Sequence, residues 1–261
     1  MPEPIELLEA QAAATRQTIQ SLAAADFAKG SLGCPGWRVQ DVVAHITTGA
    51  QMFEGIARGT LSGANWMEER GRRLAENAAL SPDDLKRRYA EADASLVSTF
   101  KSLSPEELQA RRQHPAFGEV PVAQFLGMRI SETAVHSWDI QSAVDPSAKL
   151  QAPATNAVAS QIVNIFPAWF LPEAVAGMSR GYRFVVAEAT HTLAIAGGKA
   201  AWTAADGAAD ATLALDLGDF VLLMTGRLSS EKLIDSGRAQ ASGDIQAAKQ
   251  LSTLFKAFGG R

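Results

Sequence analysis

The chain has 261 residues, 47% hydrophobic and 20% charged, with 24 Lys and Arg against 28 Asp and Glu for a formal net charge of −4. That length suits one large domain or two of ordinary size, and the lack of a basic surplus argues against nonspecific nucleic-acid binding, which needs cations to neutralise phosphates. One cysteine, Cys34, excludes an internal disulfide framework and fits a reducing cytoplasm; the opening Met-Pro-Glu-Pro-Ile-Glu lacks the basic and apolar regions of a signal peptide, and no apolar run is long enough to span a bilayer.

Taken in order, Pro4 to Ala25 carries Ile5, Leu8, Ala12, Thr15 and Ile19 near helical spacing, which predicts a first helix. Lys29 to Gly36 is turn chemistry. Trp37 follows, then a second helix over about Val39 to Arg58, whose inward stripe is Val42, Ile46, Gly49 and Phe53. Asp41 falls in its first turn, at the positive end of the helix dipole. Gly59 to Ala64 reads as a loop, and Asn65 to Asn77 as a short helix whose charged face (Glu68, Glu69, Arg70, Arg72, Arg73) is most simply solvated surface. Ser81-Pro82-Asp83-Asp84 combines a cap, a first-position proline and two acids, and starts a helix to about Leu103. Ser104-Pro105-Glu106-Glu107 starts another short one. His114 to Val120 is a loop or a short extended piece. Val122 to Val144 has no internal proline and reads as a fourth long helix. The first half is therefore an antiparallel four-helix bundle.

Two of these helices carry groups able to hold a metal ion. Glu132 and His136 are one turn apart on a single helix face. His45 stands beside the apolar stripe of the second helix, so it points inward. A His-Glu-His set leaves one coordination position open, the catalytic form of a zinc site. The spacing leaves two readings open, because Glu-x-x-x-His is a frequent accident on helices and an inward histidine is often only a hydrogen-bonded core residue. Asp139, three residues after His136, is placed to orient an imidazole from behind. Cys34 reads as a small buried residue, with a ligand or redox role the lesser alternative, Trp138 as core or domain interface, and Trp37 as packing under the start of the His45 helix.

Asp145 to Pro153 has two prolines in nine residues and reads as a linker between domains 1–147 and 153–261. Beyond it the pattern changes. A helix over Ala154 to Phe166 precedes strands at Arg183–Ala187, His191–Ile195, Ala200–Thr203 and Ala211–Leu215; helices follow at Asp219–Thr225, Ser230–Asp235 and Ala247–Phe258. This half is an α+β layer, mostly antiparallel sheet with helices on one face. The fold class is thus two-domain α+β.

Two stretches carry a family resemblance. Gly36-Trp37-Arg38-Val39-x-Asp41-Val42-Val43-Ala44-His45 resembles the opening motif of mycothiol-dependent maleylpyruvate isomerases and their DinB-like relatives, and Arg129-x-x-Glu132-x-x-x-His136-x-Trp138-Asp139-Ile140 resembles their second motif. Asp210-x-Thr212-Leu213, Asp219-Phe220-x-x-Leu223-x-x-Gly226-Arg227 and Gly243-Asp244 resemble, less specifically, that family's sterol-carrier-like C-terminal domain.

The resemblance implies a DinB-like bundle followed by a sterol-carrier-like domain, with His45, Glu132 and His136 as ligands of a divalent metal, zinc foremost. It implies mycothiol, a low-molecular-weight thiol of actinobacteria, as cosubstrate, and Arg227 as an arginine that helps complete the isomerase site. The expected activity is cis–trans isomerisation of, or thiol transfer to, a small electrophile. Arg227 or Arg129 is expected to hold a substrate carboxylate through a forked pair of hydrogen bonds; the plainer reading of Arg129 is a partner of Glu132 or Asp139, and of Arg227 a surface arginine past a helix end. The partners expected are the small-molecule substrate and the thiol, without nucleic acid or membrane, in a cytoplasmic monomer or homodimer. Competing expectations are an apolar small-molecule or lipid-binding protein, and a metal-dependent hydrolase.

Overall fold

A computed structural model describes residues 3–61, 65–114, 118–150 and 153–256. The chain divides into two compact units, Met1–Ala148 with Ala152–Ala154 and Lys149–Gln151 with Thr155–Arg261. Parts of the Gly59–Ala64 loop, of His114–Val120 and of the linker, along with Phe258, lie outside the described residues.

The first unit runs α1 (Pro4–Ser21), α2 (Val39–Ala57), α3 (Trp66–Ala78), α4 (Pro82–Ser102), α5 (Pro105–Gln109), β1 (Arg111–His114), β2 (Gly118–Pro121) and α6 (Val122–Val144). α2 packs on α4 and α6, and α1 on α6 and α4, so the four long helices close a bundle. Its core includes Val39, Val42, Val43, Ile46, Leu85, Tyr89 and Ile140. The start of α4 is capped as its residues predict, with Ser81 Oγ accepting from Asp84 N at 3.2 Å. α1 stops at Ser21, short of the expected Ala25. The Asp26 carboxylate accepts from Ala23 N at 2.8 Å and draws the chain into a separate 3₁₀ turn, Ala24–Ala28. The extended option at His114 is realised as a hairpin, paired antiparallel from Arg111↔Pro121 to His114↔Gly118.

The second unit runs α7 (Thr155–Ile165), α8 (Pro172–Val175), β3 (Arg180–Val186), β4 (Ala189–Ala196), β5 (Lys199–Thr203), β6 (Ala211–Leu215), α9 (Leu217–Met224), α10 (Ser230–Asp235), β7 (Ala239–Gly243) and α11 (Ile245–Gln250). Its sheet has the order β5-β4-β3-β6-β7, antiparallel except where β3 pairs with β6. Tyr182, Phe184 and Val186 on β3 and Leu213 and Leu215 on β6 are buried, while Arg183, Val185, Thr212 and Ala214 between them are partly exposed. That alternation is the mark of a sheet covered on one face.

Two expectations for this unit are corrected. β7 was not predicted, because Ala-Gln-Ala-Ser-Gly has little of the bulk that marks a strand. The closing helix ends at Gln250 and tightens into a 3₁₀ turn, Leu251–Thr253. Leu171 N then donates to Leu254 O at 2.9 Å and Lys256 N to Trp169 O at 3.0 Å. This pulls Phe255 out of helical register and packs its ring 4.8 Å from Phe166. No described helix is long and apolar enough to cross a membrane.

Candidate functional site

The site lies in the first unit, where α2 and α6 pack face to face. His45 Nε2 stands 3.3 Å from Glu132 Oε1, and the rings of His45 and His136 are 4.9 Å apart. The opening for this approach is Gly49, one turn beyond His45 on α2. A methyl group there would meet Glu132 Oε2 at 2.7 Å and Oε1 at 2.8 Å. The stripe position that reads as apolar packing in the sequence is therefore the space the carboxylate occupies.

Glu132 is held from behind. Arg129 donates through Nη1 to Glu132 Oε2 at 2.9 Å and to Ile46 O at 2.8 Å. Its Nη2 donates to Asp93 Oδ1 at 3.3 Å, and Asp93 Oδ2 accepts from Arg16 Nη1 at 2.6 Å. The Arg129 side chain is 0% exposed, so the expectation that it forks a substrate carboxylate is corrected: its donors face Glu132, Asp93 and the α2 backbone. The alternative reading, a partner of Glu132, is what the geometry shows. Burial alone would raise the Glu132 carboxyl pKa, but the hydrogen bond to His45 and the charges of Arg129 and the histidines outweigh it and hold it down to about 2. The carboxylate is thus ionised at neutral pH.

His136 is oriented in the same manner. Its Nδ1 lies 2.7 Å from Asp139 Oδ2, and Asp139 is wholly buried. A carboxylate accepts at Nδ1 and so fixes the ring's orientation, as carboxylates do behind metal-binding histidines. The Trp37 ring abuts His45 with centroids 5.3 Å apart, and Trp138 is buried with Nε1 donating to Ala148 O at 2.9 Å.

A second donor set overlaps this one. Cys34 Sγ lies 3.3 Å from Asp139 Oδ2, and the donor atoms of Cys34, His136 and Asp139 all fall within 4.8 Å of one another. One donor pair in each set can be compared. Atoms bound tetrahedrally at about 2.0–2.1 Å from one ion stand about 3.3 Å apart. The His45–Glu132 separation of 3.3 Å meets this value, whereas His136 Nδ1 and Asp139 Oδ2 at 2.7 Å sit at hydrogen-bond distance and must part to admit an ion. Among the described residues the compact donor group is Cys34, His136 and Asp139, while His45 and Glu132 stand together at 3.3 Å with the His136 ring 4.9 Å from the His45 ring.

Beside this cluster a small cleft of about 50 Å³ is lined by His45, Gly49 and Glu132 and by Phe53, Trp66 and Arg70. The His114 ring packs 5.8 Å from Trp66 and 5.7 Å from Phe125, behind this aromatic wall. Arg227 belongs to the second unit, where its Nη1 donates to Thr225 O at 3.1 Å in the turn after α9. His191 stacks on Phe220 in that unit, with ring centroids 5.7 Å apart. Sequence reasoning missed Asp93 and the roles of Gly49 and Arg70. Asp93 carried a legible signal, an acid on the buried side of α4 beside Tyr89 and Leu96.

Residues 8–141 match the family described as the mycothiol maleylpyruvate isomerase N-terminal domain, and residues 171–256 match the SCP-2 sterol transfer family. Among solved structures, the chain is similar to a mycothiol-dependent maleylpyruvate isomerase, with 20% identity, a TM-score of 0.64 and coverage of 93% of each chain. A histidine-to-alanine mutant of that isomerase gives the same identity and coverage with a TM-score of 0.65. This likeness establishes a shared fold over both units. No curated protein sequence matches the chain.

Proposed function

The chain belongs to the mycothiol maleylpyruvate isomerase N-terminal domain family, and from that premise we propose that it is a divalent-metal-dependent enzyme that activates mycothiol to isomerise, or to add to, a small electrophilic substrate. The observation that carries this reading is the 3.3 Å spacing of His45 Nε2 and Glu132 Oε1, with the His136 ring beside it and a cleft in front. His45, Glu132 and His136 would hold the ion, with zinc the best fit to the donor set. When bound there, the ion supplies Lewis acidity, under which a thiol with an ordinary pKa of about 8.5 loses its proton at neutral pH.

The protein's own groups prepare that chemistry. Asp139, 2.7 Å from His136 Nδ1, fixes the orientation of that ring and would favour the proton on Nδ1, so that Nε2 could serve as the ligand atom. Arg129 fixes one Glu132 oxygen and leaves the other to His45. Phe53 and Trp66 give the cleft an apolar wall, which withholds water from the sulfur and from the electrophile. A sulfur anion that adds to a conjugated double bond converts it to a single bond; rotation and departure of the sulfur then complete a cis–trans isomerisation.

The test is an assay of the zinc-loaded full chain on maleylpyruvate, followed by absorbance, with and without mycothiol. Isomerisation that requires both thiol and metal is the expected result. Turnover to a hydrolysis product without thiol would replace this reading with a metal-dependent hydrolase. No turnover and no thiol adduct with maleylpyruvate or simpler unsaturated electrophiles would overturn it.

A further inference from the structure

The charged face of α3 does not behave as one surface. Arg72 pairs with Glu69 at 2.7 Å and with Glu76 at 2.5 Å. Arg73 pairs with the same Glu69 at 2.5 Å. Arg70, just before them in sequence, takes part in no ion pair or hydrogen bond among the described residues. It lies one helical turn after Trp66, hence on the same face, and both line the cleft that holds His45 and Glu132. The helix thus turns one uncompensated guanidinium toward the cleft while its neighbours saturate one another on the outside.

The other charges at the cleft do not supply a partner. Glu132 already has Arg129 at one oxygen and His45 at the other. An anion entering the cleft therefore meets one open cation, beside the aromatic groups Phe53 and Trp66. A guanidinium presents a planar fork of donors that matches a carboxylate, and partial exclusion of water strengthens the pair.

We infer that Arg70 is a specificity-determining residue of this cleft, selecting a substrate that carries a carboxylate on a short unsaturated carbon chain. The inference rests on the proposed site for its catalytic meaning, but the anion contact itself does not depend on a metal.

The test is calorimetric titration of the full chain, zinc-loaded and metal-free, with fumarate, with dimethyl fumarate and with inorganic phosphate at constant ionic strength. Wild type, Arg70→Gln and Arg70→Lys are compared, with zinc content measured on each sample. A charge-assisted contact of this kind corresponds to about a 10- to 100-fold change in affinity. The expected result is fumarate binding that weakens by that factor in Arg70→Gln and by less in Arg70→Lys, weaker binding of the ester and of phosphate, and equal zinc in all three proteins. Equal fumarate affinity in wild type and Arg70→Gln would overturn the inference. So would no fumarate binding to either form of the wild type, or phosphate binding as tight as fumarate binding. A wild type without zinc would sink the metal-dependent reading instead, and the metal-free titration would still decide the role of Arg70.

Discussion

Each unit sets an arginine against a carboxylate, Arg129 fully buried and Arg238 partly exposed, and the two pairs end differently. In the second unit, Arg238 donates to both oxygens of Asp219, through Nε at 3.1 Å and through Nη2. Asp219 is 1% exposed, and its charge is closed off within one forked pair. In the bundle, Arg129 holds only one oxygen of Glu132 and divides its other donors between Asp93 and the Ile46 carbonyl. The second Glu132 oxygen is left to His45 at a cleft. A fork that closes on itself stabilises a fold. A fork split across several acceptors holds one Glu132 oxygen and leaves the other facing His45.

The comparison is broken most severely by removing each arginine. Arg129→Ala strands Asp93 and Glu132 without their buried cation and is expected to cost about 3–5 kcal/mol, with zinc binding lost as well. Arg238→Ala leaves the buried Asp219 carboxylate without its partly exposed partner and is expected to cost about 1–3 kcal/mol, with zinc binding unchanged. Urea unfolding and elemental analysis of both variants check this contrast, and a loss of zinc in Arg238→Ala would blur it.

A pH series sharpens it next. Because the Glu132 carboxyl titrates at about 2 in the folded chain, below the usual glutamate value near about 4.3, its contribution to stability is fully present above that usual value. It is lost as pH falls toward the folded value. Metal-free wild type should therefore lose stability below about pH 4.3 more steeply than Glu132→Gln, as measured by denaturation at fixed salt; parallel curves would contradict the charge network drawn around Glu132.

Gly49→Ala tests the space and leaves the charges in place. Alanine favours a helix interior over glycine by about 1 kcal/mol, so stability is expected to hold or rise. The Glu132 carboxylate must move from the added methyl, and zinc affinity should fall about tenfold or more, by roughly the free energy of one displaced contact. Competition with a chromophoric chelator reads that affinity. The smallest effect is expected for Cys34→Ala. Its sulfur touches Asp139 and lies outside the His45, Glu132 and His136 set, so stability should change by about 1 kcal/mol or less with zinc retained. Loss of the metal in this variant would point to the overlapping Cys34, His136 and Asp139 donors.

Much of this arrangement was legible before any coordinates. Periodicity and caps marked the four long helices, and Val122–Val144 has the ends its residues predict, since helix termini are written in local chemistry. Helical spacing put Glu132 and His136 on one face. Runs bounded by turn residues marked strands at Arg183–Ala187 and Ala211–Leu215, with helices expected on one face. What stayed hidden depends on residues distant in sequence. Gly49 matters because of a carboxylate on α6, and Arg129 is withdrawn from substrate because Asp93 on α4 meets it. Arg70 is the exception, a local signal left unread: its helical neighbours Trp66, Met67, Arg73 and Leu74 include no acid, whereas Arg72 and Arg73 have Glu69 and Glu76 in reach. β7 is built of small residues whose pairing partner, β6, supplies the reason for a strand.

The most direct test of the central reading is the zinc content of purified full-length protein, wild type beside His136→Ala, by elemental mass spectrometry after reconstitution and removal of loosely held metal. Close to one zinc per chain in the wild type and little in the variant is the predicted result. A wild type that retains no metal, or a variant that retains as much as the wild type, would contradict the assignment of His45, Glu132 and His136 as the ligands.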